Sequence, residues 1–393
     1  MSVLVVTNLL PAGRSGGEIV TRSVVDALRS AGRDVRVLGY RRTDDRAPEA
    51  GGEVCVGRRP AETAGAGARA LGWGARAVAG RAPYSAVKWR SRAYARAVEG
   101  ELRERPEVVI VDHAGLEVVI PPSEAVAAPT VFVAHNAEGE MYGRLAAEAR
   151  GPLRRWPYAR EARLIRGVEA RLVRRARQTW ALTEDDASYL RGLDPAADVR
   201  TLDVASSIDA PAAAPEPGFD VAAIGTWSWH ANARGLEWFA DEVVPLLPAG
   251  TTVEVAGRGA DWLRGRHPGV AVRGMVPDAL EFMSRARVVA VPSVTGGGVQ
   301  IKTLDAIASG VPVVATAVAT RGLDDLPGSV AVAPDPEAFA AELVRLAAER
   351  DRERLRAEAL AWTRARRERL GAAVAAWVAE LATGGARAPA RAV

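Results

Sequence analysis

Cysteine and lysine are the residues that this sequence has least of. Its 393 residues include one cysteine, Cys55, which cannot form an internal disulfide and is typical of a small packed side chain. Lysine occurs only at positions 88 and 302, so arginine accounts for 52 − 2 = 50 of the basic residues. A compact ammonium is a different ligand from a planar guanidinium. Lys302 therefore marks a place where a point charge is favoured, whereas Lys88 is predicted to be a solvated helix residue.

Long apolar runs and a leader pattern are also missing. No stretch of about 18 apolar residues occurs, and the strand pattern of residues 3–7 follows no basic lead or cleavage motif. We therefore expect a cytoplasmic protein, with the inner face of the membrane as an alternative location. The content of 48% hydrophobic and 25% charged residues is that of an ordinary soluble protein. The length predicts two domains.

Short apolar strands alternate with helical stretches in the first half of the chain. The strand SVLVVT leads into GGEIVTRSVVDALRSAG, whose apolar residues recur at helical spacing, and DVRVLGY, PEVVIVDH and APTVFVAHN are further strand patterns. This alternation predicts an α/β fold with a parallel sheet that binds ligands at the carboxyl ends of its strands. Five residues are predicted to lie along that edge: Gly16, Gly17, His113, His135 and Asn136.

A second alternating series begins after residues 208–218, which are rich in proline and alanine and typical of a linker. We therefore expect one doubly wound domain over 1–207 and another over 219–365, facing each other across a cleft. The last helix should pack back on the first domain over residues 366–383. The tail, residues 384–393, should be disordered.

The segment VTGGGVQIKTLDAIASGVPVVAT, residues 294–316, carries the most specific chemistry. Three consecutive glycines follow a strand and precede a helix predicted to begin near Gln300. A bare backbone next to a helix N-terminus favours a phosphate group. Lys302 adds a positive charge, and Asp305, one turn further along, could accept hydrogen bonds from a ribose. A diphosphate with a ribose indicates a nucleotide, although a tight turn with a solvated Asp305 is the alternative.

Other binding patterns are weaker. The G-x-x-x-x-G-K-[ST] spacing of a phosphate-binding loop is absent, and AGRGADW at 256–262 lacks the third glycine of a dinucleotide fingerprint. A hydride-transfer function is therefore disfavoured. The histidines and carboxylates lack metal-ligand spacing, so no metal site is predicted.

Three segments together resemble the retaining glycosyltransferases of family 4, which have the GT-B fold: GTWSWHANARGLEWFADEVVPLL, GGGVQIKTLDAIASGVPVVATAVATRGL and VFVAHNAEGEMYGR. The resemblance covers nearly the whole chain and is greatest to a bacterial branch with a G-G-G-x-x-x-K donor loop. It implies two Rossmann-like domains, the N-terminal one binding an acceptor and the C-terminal one a UDP- or GDP-sugar. It further implies a hexosyltransferase that needs no cofactor or metal. The acceptor would be a small molecule, a glycan or a lipid-linked sugar in polysaccharide, glycolipid or specialised-metabolite biosynthesis.

The resemblance also implies roles for particular residues. Lys302 would neutralise the diphosphate leaving group, and His113 would be the catalytic histidine that contacts a sugar hydroxyl. Asp305 would hold the ribose. The implied donor-binding residues are Gly16, Gly17, Arg234, Gly296, Gly297, Gly298, Gln300, Thr303 and Asp305. The acceptor-side candidates are His135, Asn136 and Glu138.

The sequence departs from the family pattern at several positions. The usual pair of glutamates, eight positions apart, falls on Gly297 and Asp305, so only the second position carries a carboxylate. Gln300 replaces the usual arginine, and Ala231 replaces the proline before Asn232. These differences bear on the identity of the donor. They leave two alternatives open, a nucleotide-sugar epimerase on the same fold and a non-catalytic GT-B protein that binds a nucleotide or a partner.

Basic and aromatic residues interleave in residues 69–105, which hold nine basic residues against three glutamates. Trp73, Tyr84, Trp89 and Tyr94 lie among them. Such a surface could meet anionic lipid, a phosphorylated acceptor or nucleic acid. The alternative is an arginine-biased solvated helix face. If the surface does bind a partner, we expect a peripheral association with an anionic membrane. We expect no nucleic-acid partner.

Overall fold

The chain forms two compact units in a computed structural model. The first unit comprises residues 1–203 and 370–393, and the second comprises 204–369. The structure describes residues 2–13, 15–45, 51–60, 67–122 and 125–383. The tail predicted to be disordered, 384–393, lies outside these described residues.

A parallel sheet forms the centre of the first unit. Its strands are β1 (Ser2–Leu9), β2 (Asp34–Arg42), β3 (Glu53–Arg59), β4 (Val108–Asp112), β5 (Thr130–Ala134), β6 (Gln178–Ala181) and β7 (Val199–Thr201). Their order is β3-β2-β1-β4-β5-β6-β7, and each neighbouring pair is parallel. The residues of β4 and β5 are all buried, as expected for strands covered on both faces. The order reverses between β1 and β4, so a ligand crevice is expected at their carboxyl ends.

Helices cover both faces of this sheet. They are α1 (Gly16–Ser30), α2 (Ala68–Ala79), α3 (Tyr84–Trp89), α4 (Arg92–Arg103), α5 (Glu138–Glu148), α6 (Pro152–Arg175) and α7 (Glu184–Leu193). The first of them begins where Ser15 N donates to Glu18 Oε2 over 3.0 Å, which satisfies an amide that the helix leaves free. Gly16 and Gly17, which the resemblance implies bind the donor, are the first two residues of α1.

The aromatic residues of 69–105 do not form the interleaved surface considered above. Trp73, Trp89 and Tyr94 are buried, and Tyr94 Oη donates to the Leu38 carbonyl over 3.0 Å. Lys88, predicted to be solvated, is also buried, with Nζ 4.7 Å from the centroid of the Trp89 ring. The rings of Trp89 and Tyr94 pack against Tyr40 of β2, because large apolar rings gain more from burial than from exposure.

A second parallel sheet forms the centre of the second unit. Its strands are β8 (Phe219–Ile224), β9 (Val253–Ala256), β10 (Val270–Gly274), β11 (Ala286–Val291), β12 (Val313–Thr316) and β13 (Val330–Ala333). Their order is β10-β9-β8-β11-β12-β13, with parallel neighbours throughout. The reversal lies between β8 and β11, and the second crevice is expected there.

The helices of the second unit are α8 (His230–Trp238), α9 (Ala279–Ser284), α10 (Ile301–Ala308) and α11 (Pro336–Ala347). The last helix, α12 (Arg352–Thr383), begins in this unit and ends in the first. Arg366 Nε donates to the Val204 carbonyl over 2.7 Å within the second unit. Within the first unit, the rings of Trp377 and Trp180 lie 5.5 Å apart.

The unit boundaries differ in detail from the predicted domain limits. The first domain was predicted to end at residue 207, whereas residues 204–207 belong to the second unit. The predicted change at residue 366 falls inside a continuous helix. Among the described residues, none of the helices combines the length and apolar character needed to cross a membrane.

Candidate functional site

Polar side chains gather at the carboxyl ends of β4 and β5 in the first unit. Asp112 ends β4, His113 follows it, and His135 follows β5. His135 Nε2 lies 2.5 Å from Asp112 Oδ1, and His113 Nδ1 lies 3.5 Å from Asp112 Oδ2. The two imidazole rings stack with their centroids 3.8 Å apart. Together with Gly17 these residues form what we call the His113 cluster.

Asp112, which the sequence analysis did not single out, is the centre of this cluster. Its Oδ2 accepts hydrogen bonds from Thr7 Oγ1 over 2.8 Å and from Thr21 Oγ1 over 2.5 Å. Burial alone would raise the pKa of Asp112, but the charges of His135 and His113 and their hydrogen bonds hold it well below its usual range. The carboxyl group is therefore ionised. Its position at the end of a buried strand was the only available sequence signal.

The pKa values of the two histidines shift in opposite directions. Burial lowers the pKa of both, but the Asp112 carboxylate outweighs burial at His113 and raises that pKa above its usual value. At His135, burial together with the charge of His113 leaves the pKa lowered. Of the two imidazoles, His113 therefore binds a proton more readily than His135.

His113, which follows β4 and lies next to the first turn of α1, has a strained backbone. Its φ of 98° and ψ of 139° lie in a region that L-residues rarely adopt, and such a conformation costs about 1–3 kcal/mol. A Cβ atom on Gly17 would lie 3.3 Å from His113 Nε2 and 3.8 Å from His135 Nδ1. Glycine therefore allows α1 to approach the rings closely. The structure thus brings Gly17 together with both predicted histidines.

The other acceptor-side candidates follow β5. Asn136 is half-buried and lies between His135 and the start of α5. Glu138, also half-buried, opens α5, and its backbone N–H donates to Glu169 Oε1 over 2.7 Å. Burial raises the pKa of the Glu138 carboxyl, although the nearby charge of His113 opposes the shift. Glu138 therefore lies within electrostatic reach of the His113 cluster.

The cluster also has the composition of a metal site. One ligand atom from each of Asp112, His113 and His135 lies within 4.8 Å of the others. However, two ligands held about 2.0–2.1 Å from a tetrahedral ion lie about 3.3 Å apart. The 2.5 Å separation of His135 Nε2 and Asp112 Oδ1 is instead a hydrogen-bond distance. This arrangement favours a hydrogen bond between the two side chains, and the absence of a metal stays a prediction.

In the second unit, the glycine loop (residues 294–300) connects β11 to α10. Gly296 and Gly298 have φ angles of 135° and 65°, which favour glycine. Arg321 Nη1 donates to the Gly296 carbonyl over 3.0 Å, a contact that the sequence did not predict. Gln300, just before α10, donates from Nε2 to the Gly297 carbonyl over 3.4 Å. These contacts fix the loop at the N-terminus of α10.

Gly297, where the family pattern has a glutamate, faces open space. A Cβ atom built on it would have no described heavy atom within 4 Å outside its chain neighbours. Its φ is also not in the left-handed region. Neither packing nor backbone conformation therefore requires glycine at this position.

Lys302 lies in the first turn of α10. Its Nζ donates to Asn232 Oδ1 of α8 over 2.9 Å, and within the described chain it forms no ion pair. Burial lowers the pKa of Lys302 to about 8. A Cβ atom on Gly235 would lie 1.9 Å from the Pro292 carbonyl oxygen, so glycine lets α8 pack directly against the end of β11. That close packing brings Asn232 to the lysine.

The remaining predicted donor residues have different environments. Asp305 Oδ1 accepts a hydrogen bond from Ser206 Oγ over 2.6 Å, and burial raises the pKa of Asp305 to about 6. Thr303 is fully buried, and its hydroxyl donates to the Ala319 carbonyl over 2.7 Å. Thr303 therefore supports the fold beneath the loop and does not present a free group to a donor. Arg234 is exposed on α8.

The glycine loop, the N-terminus of α10 and Lys302 together suit an anion. The helix N-terminus presents free amide groups and a partial positive charge. The partly desolvated ammonium has a neutral hydrogen-bond partner, Asn232, and lies 5.9 Å from the centroid of the Trp227 ring, so no anionic group of the described residues compensates its charge. A bound phosphate or diphosphate would supply that compensation.

Comparison with known proteins bears on both the fold and the chemistry. Residues 218–349, which include the glycine loop, Lys302 and Asp305, match the family model described as Glycosyl transferases group 1. None of the curated proteins matches the chain in sequence.

Several solved structures share the fold over nearly the whole chain. Sucrose-phosphate synthase from Thermosynechococcus elongatus has a TM-score of 0.65 and 16% identity, with 97% of this chain and 98% of that chain covered. WaaG, a glycosyltransferase involved in lipopolysaccharide biosynthesis, has a TM-score of 0.58 and 17% identity, with 98% and 100% covered. Anabaena Alr3699/HepE in complex with UDP-glucose has a TM-score of 0.59 and 13% identity, with 97% and 98% covered. The predicted α/β fold of two Rossmann-like parallel-sheet domains, as in GT-B glycosyltransferases, is confirmed. The family match and the fold together indicate a glycosyltransferase.

Proposed function

We propose that this protein transfers a sugar from a nucleotide diphosphate donor, a UDP- or GDP-sugar, to an acceptor hydroxyl group. The observation that carries the proposal is the uncompensated, partly desolvated Lys302 beside the glycine loop, within the region that matches Glycosyl transferases group 1. The similar fold of Alr3699/HepE, solved with UDP-glucose, supports a nucleotide-sugar donor.

In the proposed reaction, the bond between the sugar's anomeric carbon and the β-phosphate oxygen breaks. The acceptor oxygen bonds to that carbon from the same face, which retains the configuration, and the hydroxyl proton passes to the departing diphosphate. Lys302 and the amides around Gly297 stabilise the negative charge that develops on the diphosphate. Asp305 accepts hydrogen bonds from the ribose hydroxyls. No enzymic base and no metal are needed for these steps.

The His113 cluster is proposed to bind the transferred sugar and the acceptor. The strained backbone of His113 is the kind of feature that persists where the surrounding structure imposes it, commonly at functional sites. His113, the preferentially protonated imidazole, would donate to a sugar hydroxyl. His135, Asn136 and Glu138 would line the acceptor side. The acceptor is proposed to be a glycan, a lipid-linked sugar or a small molecule, and the reaction to take place in the cytoplasm.

The test is a panel of UDP- and GDP-sugars with product analysis by mass spectrometry and NMR. We expect one donor to give a glycoside of retained configuration, with activity unchanged by a chelator. We expect Lys302→Ala to lower kcat/KM about 100-fold or more, as loss of one charge-stabilising group does. Arg350→Ala, which removes an exposed cation elsewhere in the second unit, should leave kcat/KM unchanged.

The products separate the alternatives. An epimerised nucleotide sugar without transfer would replace the transferase with an epimerase. Nucleotide binding with neither transfer nor donor hydrolysis would favour the non-catalytic protein. Full transferase activity in Lys302→Ala would remove the proposed role of the lysine.

A further inference from the structure

Exposed apolar side chains concentrate on two helices of the first unit. Eleven large apolar side chains are exposed among the described residues, and five of these lie on α2 or the first half of α6. They are Leu71, Val78, Leu153, Trp156 and Tyr158. Leu153 is 90% exposed and Leu71 is 79% exposed, so nearly all of each side chain lies in solvent. Isolated exposed apolar residues are ordinary, whereas a concentration of them marks an interaction site.

The two helices present one continuous surface. Arg160 Nη2 donates to the Ala77 carbonyl over 2.5 Å and to the Ala82 carbonyl over 3.3 Å, which ties α6 to the end of α2. A groove of about 510 Å³ lies between them and is lined by both helices. Residues 153, 156, 160 and 163 fall on one face of α6 by helical spacing. We define the α2–α6 surface as Leu71, Val78, Arg81, Leu153, Trp156 and Arg163.

Positive charge predominates around this surface. Exposed arginines flank it: Arg69, Arg76, Arg154 and Arg155. Residues 67–98 and 149–160 contain no aspartate or glutamate. Glu148, just before residue 149, is exposed, whereas Glu161, just after residue 160, is buried and accepts hydrogen bonds from the backbone N–H groups of Tyr84 over 2.8 Å and Ser85 over 3.0 Å. Glu161 therefore does not neutralise the exposed arginines.

The geometry points to an anionic lipid bilayer as the partner of the α2–α6 surface. Leucine and tryptophan side chains enter the boundary between headgroups and acyl chains, and neighbouring arginines bind lipid phosphates. A nucleic acid would meet the arginines but would leave Leu71 and Leu153 in water. A bilayer covers both kinds of group at once. This inference stands on the surface alone and does not depend on the transferase activity.

Vesicle co-sedimentation of the full chain tests the proposal. We expect binding to vesicles of equal parts phosphatidylcholine and phosphatidylglycerol, with little binding to phosphatidylcholine alone. The double variant Arg154→Gln/Arg155→Gln should bind the anionic vesicles about 30-fold more weakly, because each cation near an anionic surface contributes about a fivefold factor. Leu153→Ser/Trp156→Ser should lose at least as much.

A matched control removes comparable groups elsewhere. Leu246→Ser/Arg350→Gln takes away an exposed leucine and an exposed arginine of the second unit and should bind as the wild type does. All variants should keep the wild-type melting temperature, because the altered side chains are exposed. Absence of vesicle binding overturns the proposal, as does equal binding by the wild type and both α2–α6 variants. A dimer in sedimentation velocity that Leu153→Ser/Trp156→Ser abolishes, without lipid binding, would assign the surface to a second copy of the chain and also overturn it.

Discussion

The sequence predicted some residues of the candidate site and missed others. Lys302 and Asp305 could be found because their type and spacing follow a glycine run within one short segment. Asp112, Arg321 and Ser206 could not, since each acts on a residue that a different part of the chain supplies. Thr303 shows the opposite case. Its position in the motif suggested a donor contact, but the fold uses its hydroxyl internally.

Asp305 gives a test at the scale of one residue. Its pKa of about 6 in the folded protein lies above the usual value of 3.8 for an aspartate, so its ionisation opposes folding. The protonated carboxyl group of Asp305 therefore favours the folded state. This contribution to the free energy of unfolding is complete below pH 4 and is lost as the pH rises through 6. We therefore expect Asp305→Asn to be more stable than the wild type at pH 7–8 by about 2 kcal/mol, allowing for partial exposure. The difference should disappear near pH 4.

Thermal melting from pH 4 to pH 8 measures this difference in stability. Calorimetric titration with UDP and GDP measures how the substitution changes nucleotide affinity. Asp305→Asn should bind nucleotide more weakly while it melts at a higher temperature. Asp324→Asn, which changes an exposed carboxylate of the same unit, should alter neither. If the wild type and Asp305→Asn have parallel melting profiles across this pH range, the account of Asp305 is wrong.

At the scale of secondary structure, the start of α5 is held by another helix. Glu169 of α6 accepts from the backbone N–H groups of Glu138 over 2.7 Å and Gly139 over 3.2 Å, and from Tyr189 Oη over 2.8 Å. A Cβ atom on Gly139 would lie 2.3 Å from that hydroxyl oxygen, so only glycine allows the approach. The sequence showed the helical pattern of α6 but could not show that one of its two glutamates caps α5.

We expect Glu169→Ala to lower the melting temperature by several degrees, because two helix amides and a hydroxyl lose their buried partner. The acceptor KM should also rise, since Glu138 opens the helix that loses its cap. Thermal melting measures the first effect. Steady-state kinetics with the acceptor measure the second.

Asp335→Ala is the matched control. Asp335 caps α11 by accepting from the Ala338 N–H over 2.8 Å, in the second unit. Its removal should lower the melting temperature by a few degrees and leave the acceptor KM unchanged. An unchanged acceptor KM in Glu169→Ala, or an equal rise in both variants, would contradict the role given to Glu169.

At the scale of the whole molecule, alternating strands and helices were enough to predict two parallel sheets. The buried strands are continuous apolar runs, such as VVIVD of β4, and are easily recognised. β3 was not predicted. It is an edge strand of mostly half-buried residues, EVCVGRR, with a glycine and two arginines. The exact limits of the units depend on contacts of α12 and residues 204–207, which are distant in sequence.

The central claim is that the glycine loop and Lys302 bind the diphosphate of a nucleotide. Calorimetric titration of the wild type and Lys302→Ala with UDP, GDP and their nucleosides tests it most directly. We expect a diphosphate to bind the wild type at least 100-fold more tightly than its nucleoside, and Lys302→Ala to lose at least tenfold in diphosphate affinity but nothing in nucleoside affinity. Equal affinity of both proteins for UDP and for GDP, or no nucleotide binding by the wild type, would contradict the claim.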